Sequence, residues 1–357
     1  CHRSETRVPG AEKLNWGLTL IEQAGCYGCH SIGHLGEQTK RGPSLQYLAA
    51  KSPADWVRTW IKDPKAIRPD TWMPHSFAEA GDKDPARASA EVSAITEYLF
   101  AVSADFALEG ATPKGDPGEG KLQFDALGCA ACHLSPEEAP LTTQRVDALR
   151  RMNGPHLSGL AAKTTTDWLF HWLKDPSRYN PATTMPDLRL SDEEAANLSA
   201  YLMQGDGAME VEEAVTDDAL FRSILREHRI RRETPAALDA ALAAMDSATL
   251  RQELGKQLIA HYGCAGCHQI PGAEGDALIG PELDAFGDKS LHELDFGKQH
   301  ITHRKSVWLE NKLADPRIFD EHIEKEAIDQ LRMPQYDFSA QEREALITAL
   351  LGFRAQI

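Results

Sequence analysis

The sequence predicts an all-α protein built from three tandem copies of one unit. Three observations carry this. Apolar residues recur at helical spacing, no alternating β-branched runs joined by hairpin turns appear, and one set of short motifs returns three times in the same order. The 357 residues suit two to three domains. Charged residues make up 26% and hydrophobic ones 42%, a folded rather than a disordered composition. With 54 acidic against 38 basic side chains the formal charge is −16, which argues against a protein that tracks nucleic-acid phosphates. No apolar run approaches the roughly 18 residues of a membrane-spanning helix. No apolar leader opens the chain, so it reads as a processed form or a fragment.

The first copy is expected over residues 1–103. Leu14, Leu18 and Ile21 share one helical face, and Gly25 breaks that helix. Pro53 stands at a first-turn position, and Trp56 and Trp60 then lie one turn apart. Val92, Ile95, Leu99 and Val102 mark a closing helix. Residues 104–120, rich in Gly and Pro, read as a linker. The second copy spans 121–206, with Trp168 and Trp172 again one turn apart and a capping box from Ser191 to Glu194 opening its last helix. Residues 207–250 read as a charged helical spacer with an apolar stripe at Leu220, Ile224 and Leu225. The third copy spans 251–357 and closes with a second capping box, Ser339 to Glu342.

Six of the seven cysteines form three C-x-x-C-H motifs: Cys26, Cys29 and His30; Cys129, Cys132 and His133; Cys264, Cys267 and His268. This is the attachment signature of c-type haem. Thiols three apart on one helical turn share a face and can reach the two vinyl groups on one porphyrin edge. The adjacent His can then ligate iron. A zinc site would need further Cys or His at metal spacing, and a redox dithiol has no use for three trailing histidines. The motifs therefore predict three haem c groups.

Each motif is followed by Gly-Pro-x-Leu (Pro43, Pro155, Pro281), by a Trp-bearing segment ending in Asp-Pro (Pro64, Pro176, Pro316), and by Met-Pro (Met73, Met185, Met333). Pro43 to Pro64 and Pro155 to Pro176 both span 21 residues, and both copies reach Met after 9 more. The third copy spans 35 and 17, through insertions at 284–305 and 318–331.

This order resembles the class I cytochrome c family, in three tandem domains covering nearly all of the chain outside 207–250. The resemblance implies His/Met-ligated iron, in the pairs His30/Met73, His133/Met185 and His268/Met333. Pro43, Pro155 and Pro281 would support the proximal imidazoles through a backbone carbonyl. The lengthened loop makes Met333 the ligand furthest from the family pattern. His75 is an alternative to Met73, and methionine is also an ordinary core filler.

The tryptophans read as core against the haem, and His156 as a packing or surface residue. His292, His300 and His303 read as a solvated loop, with a metal, a further haem ligand or a partner as alternatives. The run Arg222, Arg226, Arg229, Arg231, Arg232 is either a solvated helix face or a clamp for haem propionates. Loop length beside a redox centre costs ordering entropy, so the third-copy insertions are expected to dock a partner. Cys1 has two readings, a lipidated first residue after lipoprotein maturation or the end of a truncated fourth motif.

The expected function is one-electron transfer through three haems, on the periplasmic or outward-facing side of a bacterial membrane. Redox proteins of a membrane electron-transport complex are the expected partners. Two alternatives differ in class or partner: a peroxidase-like oxidase with an open third haem, and the cytochrome subunit of a periplasmic quinoprotein dehydrogenase.

Overall fold

The computed structural model describes residues 7–35, 40–69, 71–77, 84–103, 108, 110–137, 154–205, 209–275 and 278–355. Cys1 and residues 104–107 and 109 of the expected linker lie outside them. Among the described residues the secondary structure is helical, with one isolated bridge between His75 and Gln335 and no strand.

The first copy holds α1 (Glu12–Gln23), α2 (Ala54–Lys62) and α3 (Pro85–Ala101). The second holds α4 (Pro117–Ala126), α5 (Thr166–Lys174) and α6 (Asp192–Leu202). The spacer forms α7 (Asp218–Arg229) and α8 (Pro235–Ala244). The third copy holds α9 (Ser247–Tyr262), α10 (Lys305–Ala314) and α11 (Ala340–Gly352). Capping explains several boundaries. Pro85, Pro117 and Pro235 occupy first-turn positions, where the missing N–H costs nothing. Ser191 and Ser339 form reciprocal capping boxes with Glu194 and Glu342, each such cap contributing about 1 kcal/mol.

The helix before each C-x-x-C-H motif crosses the closing helix of a copy, and a glycine stands at every crossing. A Cβ on Gly120 of α4 would run into the Asn197 carbonyl of α6, in the same copy. Gly17 of α1 instead meets Ala345 and Ala349 of α11, and Gly255 of α9 meets Ala94 and Tyr98 of α3. The first and third copies have therefore exchanged halves. One core joins Leu20 and Ile21 of α1 to Leu346 and Leu350 of α11. Another joins Val92, Ile95 and Leu99 of α3 to Leu250, Leu254 and Leu258 of α9, with Phe221, Ile224 and Leu225 of the spacer against them. Each fully buried Leu or Ile there is worth about 1.5–3 kcal/mol over exposure. The second copy has a core of its own around Phe124, Leu198 and Tyr201.

Self-contained first and third domains, expected from sequence order, are thus replaced by two interleaved units. The physical reason is degeneracy: repeats offer one another the same interface, so exchange keeps the contacts. His30 to Gly42 and His268 to Gly280 both span 12 residues, which makes the swap reciprocal, whereas His133 to Gly154 spans 21 and closes on itself.

Candidate haem-attachment sites

Each C-x-x-C-H folds into a single tight turn after a left-handed glycine, Gly25 (φ 68°), Gly128 (φ 73°) or Gly263 (φ 69°). That conformation ends the preceding helix and is open to glycine at no steric cost. The His amide then donates to the first Cys carbonyl, at 2.9 Å for His30 and 3.0 Å for both His133 and His268. Both thiols and the imidazole are thereby gathered on one patch. No disulfide joins the six motif cysteines. Burial, with added repulsion from Cys29 and Cys267, pushes the Cys26 thiol up to about 12. Burial and Cys267 push Cys29 up to about 11. Such thiols stay protonated at neutral pH, unlike those of a redox dithiol.

The imidazoles settle how the halves combine. His133 Nδ1–H donates to the Pro155 carbonyl of its own copy at 2.7 Å. His30 donates to Pro281 at 2.8 Å, and His268 donates to Pro43 at 2.9 Å. Backbone bonds repeat the pattern, from Gly42 N–H to the Cys267 carbonyl and from Gly280 N–H to the Cys29 carbonyl, both at 2.8 Å. A carbonyl can only accept, so Nδ1 carries the proton and Nε2 keeps a lone pair for a metal. The glycines are needed for this approach. A Cβ on Gly154 would sit 2.5 Å from Cε1 of His133, one on Gly280 would sit 2.5 Å from Cε1 of His30, and Gly42 stands the same way to His268.

Two of the three Met-Pro methionines accept a hydrogen bond from an indole. Trp172 Nε1–H donates to Met185 Sδ at 3.0 Å, and Trp60 Nε1–H to Met73 Sδ at 2.8 Å. Trp60 belongs to the core that includes Cys264, so Met73 sits in the unit of His268. Met333 packs in the core of Cys26 and Tyr27, the unit of His30. Met333 thus lies in the unit of His30 and Met73 in the unit of His268, the reverse of the pairs His30/Met73 and His268/Met333 expected from sequence order. Trp308 departs from the other two tryptophans, donating to the Asp295 carbonyl at 2.8 Å.

In the second copy a cavity of about 240 Å³ lies between Cys129, Cys132 and His133 on one side and Trp168, Trp172 and Met185 on the other. Its lining also includes Lys51 and Lys163, which the sequence did not single out. Lys163 lies 5.5 Å from the Trp56 ring centroid, and Lys51 lies 5.9 Å from that of Trp172. Burial pulls both ammonium groups down, Lys163 strongly, with Lys51 and Arg68 adding repulsion. Their signal in the sequence is the Leu-Ala-Ala-Lys repeat at 48–51 and 160–163.

The donor set fits haem c in all three units: a thiol pair, an imidazole with its Nε2 lone pair, and a thioether. The chain matches the family model described as Cytochrome c over residues 118–206 and 252–351, more than half its length, and so belongs to the cytochrome c family. Electron transfer at a covalently held haem c is the chemistry that family membership supports. No solved structure matches the chain.

Other residues resolve differently. The His75 backbone pairs with Gln335, so the two Met-Pro loops run side by side. His156 is buried, its Nδ1 near the Ser158 hydroxyl at 2.5 Å. His292 and His300 are exposed and His303 stacks on Phe296, and no three-residue metal cluster occurs among the described residues.

Four arginines of the run are paired within the chain, and Arg226, Arg231 and Arg232 are exposed. Arg222 donates to the Leu242 and Met245 carbonyls, and Arg226 pairs with Asp239. Arg229 pairs with Glu233, and Arg231 with Glu326 and Asp329.

The insertions, expected to dock a partner, also supply core side chains. Phe286, Leu294 and Phe296 are buried with α1 and α11, and Phe319 stacks on Trp308.

Beside the exchanged units, His228 and His261 meet edge to face with centroids 4.9 Å apart. Burial and nearby Arg87 and Arg232 lower His228 to about 4. Burial, His228 and Arg332, Arg87 and Arg317 lower His261 to about 3. Both folded values lie below the unfolded value of about 6.5. Their contribution is therefore complete above pH 6.5 or so and is lost as pH falls toward 4. The thermal midpoint of the holoprotein should drop over that interval. His228→Gln with His261→Gln should flatten the drop, and an unchanged pH profile in the double variant would refute this assignment.

Proposed function

We propose that the chain carries three haem c groups and relays single electrons between protein partners. The axial pairs would be His30/Met333, His133/Met185 and His268/Met73. The observation that carries the proposal is that three imidazoles sit in the same Gly-Pro cradle, each with Nδ1 held by a carbonyl. When bound, haem supplies an iron that changes charge by one electron, and protein ligands on both faces leave no position for oxygen or peroxide. The chain's own part is to orient. The proline carbonyls fix the imidazole tautomer and raise its basicity. Trp60 and Trp172 hold two of the thioethers, and Lys51 and Lys163 would offer N–H donors to an acidic porphyrin at the second site.

Covalent haem attachment supports a location on the outward side of a bacterial membrane. The charge of −16 favours a partner with a basic docking face, such as a subunit of a membrane electron-transport complex. Among the described residues no helix is long and apolar enough to cross a membrane.

Intact-mass spectrometry of the holoprotein is the test. Three haem additions to the 39.3 kDa polypeptide are expected. Two additions, or haem lost to acid-acetone, would overturn the proposal.

A further inference from the structure

The two exchanged units touch at their attachment motifs. A Cβ on Gly28 would sit 2.7 Å from the Gly266 carbonyl oxygen and 3.2 Å from Cys267 Sγ, and one on Gly266 would run into the Gly28 carbonyl. A Cβ on Gly25, one residue before the first motif, would still lie only 3.6 Å from Cys267 Sγ. Neither Gly28 nor Gly266 has a positive φ, so backbone conformation does not call for glycine at either place. Close approach does. The second motif supplies the contrast: the same position is Ala131, which is exposed, and a Cβ on the neighbouring Gly128 would meet nothing within 4 Å. Glycine thus stands at this position in the two motifs that face each other and is absent from the one that faces outward. The His75–Gln335 bridge ties the distal loops of the same two units together.

We propose that Gly28 and Gly266 are positioning residues that hold the Cys26/Cys29 and Cys264/Cys267 motifs in backbone contact. The haems on those motifs then form one close pair, and the haem on Cys129/Cys132 stands outside it. The thioether sulfurs are where each porphyrin edge begins, so contact between motifs places two such edges together. This rests on the three-haem reading of the preceding section.

Circular dichroism of the Soret band reads the arrangement, because two porphyrins in close contact split that band into a couplet of opposite signs. The holoprotein is expected to show a couplet. Gly28→Val and Gly266→Val should each weaken it at least twofold with three haems still attached, and Ala131→Val should leave it intact. Should the glycine variants fail to fold, cysteine variants decide. Cys129→Ala/Cys132→Ala must keep the couplet, and Cys264→Ala/Cys267→Ala must lose it. A three-haem protein without a couplet, or a couplet that survives loss of the Cys264/Cys267 haem, overturns the pairing. A wild-type mass with fewer than three haems instead overturns the three-haem reading.

Discussion

Met333→Ala is expected to remove one of three contributions to the sulfur-to-iron charge-transfer absorption, yet to remove nothing more from a chain already lacking Cys26 and Cys29. In that background Met73→Ala should still abolish a contribution, because the proposed pairing assigns Met73 to a haem on Cys264 and Cys267. The reasoning is that of a double-mutant cycle: two changes at one site are not additive, and two changes at separate sites are. Sequence-contiguous domains would give the opposite pattern, with Met73 silent once the first haem is gone. Each lost thioether should also lower one reduction potential, by a sizeable part of the roughly 0.8 V that axial ligation spans. Absorption spectra and a redox titration of the four variants decide between crossed and uncrossed pairing.

Trp172→Phe should lower the potential of the second-unit haem by about 40 mV, and Trp60→Phe should do the same for the haem on His268. An indole N–H donating to sulfur draws electron density from the thioether. Its loss makes the sulfur a better donor to ferric iron, and the oxidised state gains. One neutral hydrogen bond is worth about 1 kcal/mol, and about 1.4 kcal/mol corresponds to 59 mV for one electron. Trp308→Phe is the internal control, since its indole donates to Asp295 and not to Met333. An equal shift in all three variants would trace the effect to lost ring packing rather than to the hydrogen bond.

The site chemistry was legible because it is written in short range. C-x-x-C-H gathers two thiols and an imidazole within one turn, Gly-Pro offers a carbonyl beside a position with no side chain, and the helices announce themselves by period and cap. Copy two closes on itself in sequence order, with Gly154 beside His133, while the Trp172 bond to Met185 emerged only from the structure. The core contribution of the insertion at 284–305 was not legible, for a physical reason. Phe286, Leu294 and Phe296 are spaced as in a loop, and only a folded neighbour shows that they are core. Lys51 and Lys163 were missed because their Leu-Ala-Ala-Lys repeat marks equivalent positions without showing what those lysines lie against.

The amino-acid sequence by itself determined an all-α protein of three repeated units, the six thiols, the three imidazoles and the three candidate thioethers. Only the tertiary structure decided which half goes with which. Pro43 and Pro281 are equivalent in local sequence, as are Met73 and Met333 in theirs, so each half-unit carries the same complementary surface for two partners. Local pattern cannot distinguish partners of equal complementarity. Long-range packing of α1 on α11 and of α9 on α3 does, and it places Gly28 against Gly266, a contact between residues that no spacing rule connects.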